Sequence, residues 1–255
     1  MKLSPQEKAD RKAAFRRMTV AGKLEYIFAY YKLPLVLILI AAIAVGTVIS
    51  HAIRRKNELL YLGFLNVSVG DELLERLTEG FVGVLGEDPK KNEVYAYTGL
   101  YISDNPAEEN HEYSYASRLK MLAAMNAEQV DVVLLNREAY DLFSHSGYLL
   151  DLGDLLQREA PELLPDAAAY LTDNDVVLED NAIEMELGTA DSYQAMTESA
   201  ANALEVTEAP IFRGAGFPEP VYLGVIANSP RLSAAVAYIQ YVLFPGPPPD
   251  STASP

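Results

Sequence analysis

The sequence contains no cysteine. That excludes structural disulfides, thiolate metal sites and anchoring through a lipid-modified cysteine. It leaves an extracellular location open, because domains of this size fold without disulfides. Histidine is scarce: His51, His111 and His145 are the three present. None has a second histidine at metal-ligand spacing, so each reads as a surface residue. There is no Gly-rich phosphate loop, no GxSxG nucleophile turn and no zinc-protease helix. The sequence therefore assigns no catalytic residue, no metal and no cofactor, and a binding or scaffolding role fits it better than catalysis.

Charge is absent from residues 33–50, which read LPLVLILIAAIAVGTVIS. As a helix this run rises about 27 Å, close to the hydrocarbon thickness of a bilayer. Lipid offers no partner for backbone amides, so a helix is the form such a segment takes there. Pro34 falls in the first turn, where its missing N–H costs little. The expected span is residues 33–53. Eight Lys and Arg precede it and three follow it. The positive-inside rule then places residues 1–32 in the cytoplasm as a basic tail. Residues 54–244 follow as a domain outside the cell membrane, and residues 245–255 as a Pro/Ser-rich tail of disordered composition. Tyr26, Phe28, Tyr30 and Tyr31 supply aromatics for the interface with the lipid bilayer, and Lys23 and Lys32 reach for phosphates beside them. The alternative is a cleaved signal peptide, for which Ala42-Ile43-Ala44 and Ser50-His51-Ala52 offer small-residue sites. The apolar run is longer than such peptides usually carry.

The rest of the chain is acidic. Residues 57–255 hold 33 Asp and Glu against 9 Lys and Arg, a formal charge of −24. A surface of that sign repels phosphate backbones and excludes nucleic acid as a partner. Cations, basic proteins and neutral sugars remain.

Within that region strand and helix signals alternate. Residues 59–67 form a short apolar strand run. Residues 71–85 carry a helical stripe, with Asp71 and Glu72 in its first turn. Residues 93–103 and 130–136 read as strands, and 113–128 and 137–144 as helices. This β-α-β-α-β-α order predicts an α/β domain with a parallel or mixed sheet flanked by helices. Beyond residue 150 the pattern weakens. Residues 155–164 and 165–171 read as short helices, 183–187 as a strand and 190–204 as a helix. Residues 220–228 read as a strand. Residues 229–244 read as a helix capped by Ser229 with Pro230 at its first position.

Two stretches carry a resemblance. One is residues 131–156, with the turn Gly147-Tyr148-Leu149-Leu150-Asp151-Leu152. The other is residues 224–243, where a strand ending at Asn228-Ser229 leads into an Ala-rich helix. Both resemble bacterial extracytoplasmic solute-binding proteins of the type II kind. The segment KLEYIFAYYK before the apolar run is similar to that of uncharacterised membrane proteins of Gram-positive anaerobes. The resemblance implies a solute-binding-like lobe beside a transporter or envelope complex, with a small solute or sugar, or a membrane protein, as its partner. Residues 151–219 are too few for the second lobe of that family, so a shortened, single-lobed form is implied. A structural or interaction protein of the cell envelope is the other reading.

In parallel sheets ligands gather beyond the C-terminal strand ends. That singles out Asn66 and Ser68, Ser103 and Asp104, and Asn136 and Arg137 as candidate ligand-binding residues. Arg137 suits a carboxylate, or else pairs locally with Glu138 or Asp141. Asp173, Asp175, Glu179 and Asp180 lack the glycine and final glutamate of a calcium loop and read as a solvated acidic turn. Glu184 and Glu186 fall on one face of the expected strand.

Overall fold

The computed structural model describes residues 56–103, 111–189 and 191–245, together with residues 6, 19, 20, 22, 23, 36, 37, 39–43 and 45–47. The chain divides into two units, residues 1–55 and 56–255. In the first, residues 36, 37, 39–43 and 45–47 are helical and exposed. The rest of the expected span at 33–53 lies outside the described residues, as do most of the basic tail, His51, Asp104 and residues 246–255. Among the described residues no helix is long and apolar enough to cross a membrane.

The second unit is an α/β domain. Its elements are β1 (Asn57–Leu65), α1 (Asp71–Glu75), a π turn (Arg76–Gly80), α2 (Phe81–Val84), β2 (Asn92–Leu100), α3 (His111–Asn126), β3 (Val132–Leu135) and α4 (Arg137–His145). Then follow α5 (Leu152–Glu159), α6 (Leu164–Ala167), β4 (Leu171–Asp180), α7 (Ala182–Glu186), β5 (Ala195–Glu205), a 3-10 turn (Pro210–Phe212), β6 (Tyr222–Val225) and α8 (Leu232–Leu243). The six strands form one mixed sheet in the order β2-β1-β3-β6-β5-β4. β1 runs parallel to β2 and β3, and β6, β5 and β4 continue antiparallel.

Successive strand residues face opposite sides of a sheet, and β3 shows the consequence. Val132 and Leu134 enter one core layer, Val133 and Leu135 the other, and all four are fully buried. The first layer takes α1, the π turn, α2, α5, α6 and α8 through residues such as Leu73, Leu77, Phe81, Leu155 and Ile239. The second takes α3 and α4 through Met121, Met125, Tyr140 and Phe143. A strand covered on both faces needs apolar residues at every position, which is why LLYLGFL and VVLL are continuous runs.

Two tyrosines of the last helix reach carbonyls of the π turn. Widening the helix repeat leaves junction carbonyls without helical partners, and buried carbonyls need donors. The Tyr241 hydroxyl donates to Arg76 O at 2.6 Å and that of Tyr238 to Leu77 O at 3.1 Å. Burial pushes both phenols above their ordinary range, so they stay protonated and able to donate. Gly80 closes the turn where a Cβ would stand 2.5 Å from the Tyr241 hydroxyl.

Five expectations are corrected here. Residues 195–205 are a strand rather than part of a helix, and 182–186 are a helix rather than a strand. Glu184 and Glu186 thus sit on exposed α7 and share no strand face. Asp173, Asp175, Glu179 and Asp180 lie along β4 instead of forming a turn. The last helix starts at Leu232, three residues late, and Ser229 lies before it, its oxygen accepting the Arg231 amide at 3.1 Å. Its hydroxyl donates at 2.6 Å to Asp131, a fully buried carboxylate. Asp131 also accepts the Tyr61 amide at 2.8 Å and Arg231 Nε at 2.8 Å. This cluster ties β1, β3 and the start of the last helix together at the N-terminal end of the parallel strands.

Candidate functional site

β1 sends the chain to the face covered by α1 and α2, whereas β2 and β3 send it to the face covered by α3 and α4. Loops leaving neighbouring strands in opposite directions open a crevice at the C-terminal strand ends. A cleft of about 430 Å³ lies there, within the range of small-molecule sites. It is lined on one side by Asn66, Val67, Ser68 and Asn136 and by the strand end Gly99, Leu100 and Tyr101. Its far wall is the segment 217–221, Phe-Pro-Glu-Pro-Val, which leads into β6. β6 is antiparallel to β3, so the start of β6 meets the end of β3.

Asn66 has a left-handed backbone, φ 58°, a conformation asparagine tolerates better than most residues. Its side-chain amide copies a strand pair where β1 has turned away. Oδ1 accepts the Ile102 amide at 2.8 Å and Nδ2 donates to Ile102 O at 2.7 Å. Asn136 caps α4, accepting from the Ala139 amide at 3.0 Å. Its Nδ2 donates to Glu219 Oε2 at 3.1 Å across the cleft. Both asparagines shape the cleft with amides that are already bonded. Ser68 is exposed on the rim. Glu219 is the charged side chain among the lining residues, and it is exposed.

The other expected site residues lie elsewhere or outside the described residues. The Ser103 hydroxyl donates to Glu138 Oε1 at 2.6 Å, and its amide donates to Ser114 Oγ at 2.9 Å. Arg137 pairs with Asp141 on its own helix at 2.9 Å, the local alternative. Its guanidinium also lies 5.7 and 5.9 Å from the rings of Tyr140 and Tyr222. The hydrogen bond to Asp141 leads the causes that raise its pKa. Asp104 falls outside the described residues. His111 and His145 are exposed, and among the described residues no group of three His, Asp or Glu could hold a metal ion.

Glu219 and its wall were not anticipated. The available signal was directional. Gly216-Phe217-Pro218-Glu219-Pro220 is a stiff loop entering a strand, and that strand had only to run antiparallel for the loop to arrive at the open strand ends. A second missed feature is a buried polar network. The Tyr140 hydroxyl lies 2.8 Å from Asn202 Oδ1 and 3.0 Å from Thr172 O. Asn202 Nδ2 donates to Ser144 Oγ at 2.7 Å, and Ser144 donates to Asp175 O at 2.8 Å. It fastens β4 and β5 to α4.

No family model, no curated protein and no solved structure matches this chain.

Proposed function

We propose that residues 54–244 are a solute-binding-like domain, held outside a cell membrane by the segment 33–53, and that the cleft takes a small polar solute of neutral or positive charge. The observation that carries the reading is the cleft itself, about 430 Å³ at the diverging ends of β1, β2 and β3, with Glu219 as its charged lining residue. A carboxylate at the wall, within a stretch of formal charge −24 over residues 57–255, favours cations and disfavours anions. Tyr101 and Phe217 offer rings against an apolar face of the ligand. The resemblance of residues 131–156 and 224–243 to extracytoplasmic solute-binding proteins supports the same role, in a one-lobed form beside a transporter or envelope complex.

Calorimetric titration of the full chain in neutral detergent tests the charge preference. Spermidine or a neutral monosaccharide is expected to bind, and citrate is not. Glu219→Gln should weaken spermidine binding about tenfold, the loss of one charge-assisted contact, and leave the monosaccharide nearly unchanged. Equal binding of citrate would overturn the reading.

The second reading, an envelope interaction protein without a small ligand, rests on a specific observation: the amides of Asn66 and Asn136 are engaged by the protein itself. Silence of every small molecule in the same titrations would favour it. The membrane setting is tested separately with protease added to intact cells. Digestion of residues beyond 56 with survival of the first thirty is expected; the reverse pattern would invert the topology.

A further inference from the structure

β5 reaches the rest of the sheet only through Leu204 and Glu205, which pair with β6. Along Leu171–Asp180 and from residue 195 to residue 203, β4 and β5 pair with each other alone. α4 holds the near half, through Ser144 to Asp175 O and Asp141 to Asn174. The far half is fastened to itself: Asn181 bonds Ser192 O and the Gln194 backbone, and Tyr193 bonds Asp180. Each described residue from 178 to 199 is exposed except Asn181.

That free end is apolar where solubility would favour polar residues. Leu178, Ile183, Met185, Leu187, Tyr193 and Met196 are all exposed, Ile183 at 70% and Leu187 at 72%. A two-stranded ribbon is marginal in water on its own, and exposed large apolar side chains clustered in one short segment mark a surface that meets another molecule. Charge selects which. Between Arg158 and Arg213 there are 13 Asp and Glu and no Lys, Arg or His. Like charge opposes a second copy of this hairpin and opposes an anionic lipid surface. A basic surface is complementary.

We propose that the far half of the β4–β5 hairpin docks a protein partner whose contact surface is basic around an apolar centre. The apolar tip supplies the buried middle and the carboxylates the rim, the arrangement common to such interfaces. Rim charges steer encounter, so association is fast at low salt and slows as salt rises.

The test places a photo-reactive benzophenone amino acid at position 183, 187 or 196 of the full chain in the membranes of the cells that make it, with position 85 as an exposed apolar control. The expected result is one protein adduct from the hairpin positions and none from position 85. Its cross-linked peptide, mapped by mass spectrometry, is rich in Lys and Arg beside an apolar residue. Glu179→Gln with Glu184→Gln and Glu186→Gln, or 0.5 M salt, should lower the adduct yield at least fivefold. An adduct to a second copy of the hairpin, to lipid, or to residues 1–32 of the same protein would overturn the proposal. So would a neutral or acidic cross-linked peptide, or no adduct at all.

Discussion

At the scale of single residues the domain is held by a few polar groups that the apolar core positions. Gly80 is one case where a general preference reverses. Alanine in a helix is usually more stable than glycine by up to about 1 kcal/mol. At Gly80 the added methyl meets the Tyr241 hydroxyl at 2.5 Å, so Gly80→Ala is expected to cost about 1–3 kcal/mol. Tyr241→Phe removes the clashing oxygen, leaving Arg76 O without its donor, at about 1–3 kcal/mol. In the double variant the two costs should fall well short of their sum, a coupling that chemical denaturation measures. Simple additivity would contradict the close approach. Asp131 is the second case. It is fully buried and accepts from Tyr61, Ser229 and Arg231. Removing Arg231 strands a buried carboxylate, and Arg231→Met is expected to cost about 3 kcal/mol, the low end for a broken buried pair, since the arginine side chain is 27% exposed. A cost under about 0.5 kcal/mol by the same measurement would mean that the ion pair does not hold this end of the sheet. Asp131 was visible in the sequence only as the start of an apolar run, because its partner sits 100 residues away.

At the scale of elements, stability is uneven. β1 and β3 are covered on both faces, while β4 is an edge strand whose near half depends on the Tyr140–Asn202–Ser144 network. Tyr140→Phe removes the one hydroxyl proton that Asn202 Oδ1 and Thr172 O share. Amide hydrogen exchange in residues 172–176 is expected to accelerate at least tenfold while β1 amides change little; equal acceleration throughout would contradict a local role for the network. The same contrast explains what could be read from sequence. β1 and β3 were legible as continuous apolar runs, β2 from its strand-favouring valine and tyrosines, and α4 from the apolar stripe of Ala139, Tyr140 and Phe143. β4 and β5 were not, because most of their residues face water and carry no alternation. Ala195–Glu205, AMTESAANALE, has helix-favouring composition, and only pairing with β4 and β6 makes it a strand. Asp and Asn are depleted from strands, so LTDNDVVLED read as a turn. The lining of the cleft was legible in part, since Asn66, Ser68 and Asn136 follow strands found from the pattern. Its wall was not, because no local signal fixes the direction of β6.

At the scale of the whole molecule, three buried phenols set an alkaline limit. Burial is the leading cause that raises Tyr140, Tyr238 and Tyr241 above the ordinary value of 10.0. A group whose pKa is raised on folding contributes stability that is complete below its unfolded value and lost as pH climbs toward its folded one. The melting temperature is therefore expected to hold up to about pH 10 and to fall steeply above it. Tyr238→Phe should flatten that fall; a curve that stays level to pH 11.5 would contradict the burial of these hydroxyls. The function proposed above requires the cleft between the diverging loops of β1, β2 and β3 to bind a ligand. Ser68 stands exposed on its rim, so Ser68→Trp closes the mouth without entering the core. Ligand at a hundredfold excess over its Kd adds about 2.7 kcal/mol to stability, a shift of several degrees for a domain of this size. The most direct test is thermal unfolding of the full chain and of Ser68→Trp against neutral monosaccharides, cationic amines and dicarboxylates. A rise of several degrees is predicted with a neutral or cationic compound in the native chain, and none in Ser68→Trp. No rise with any compound, or the same rise in both proteins, would contradict it.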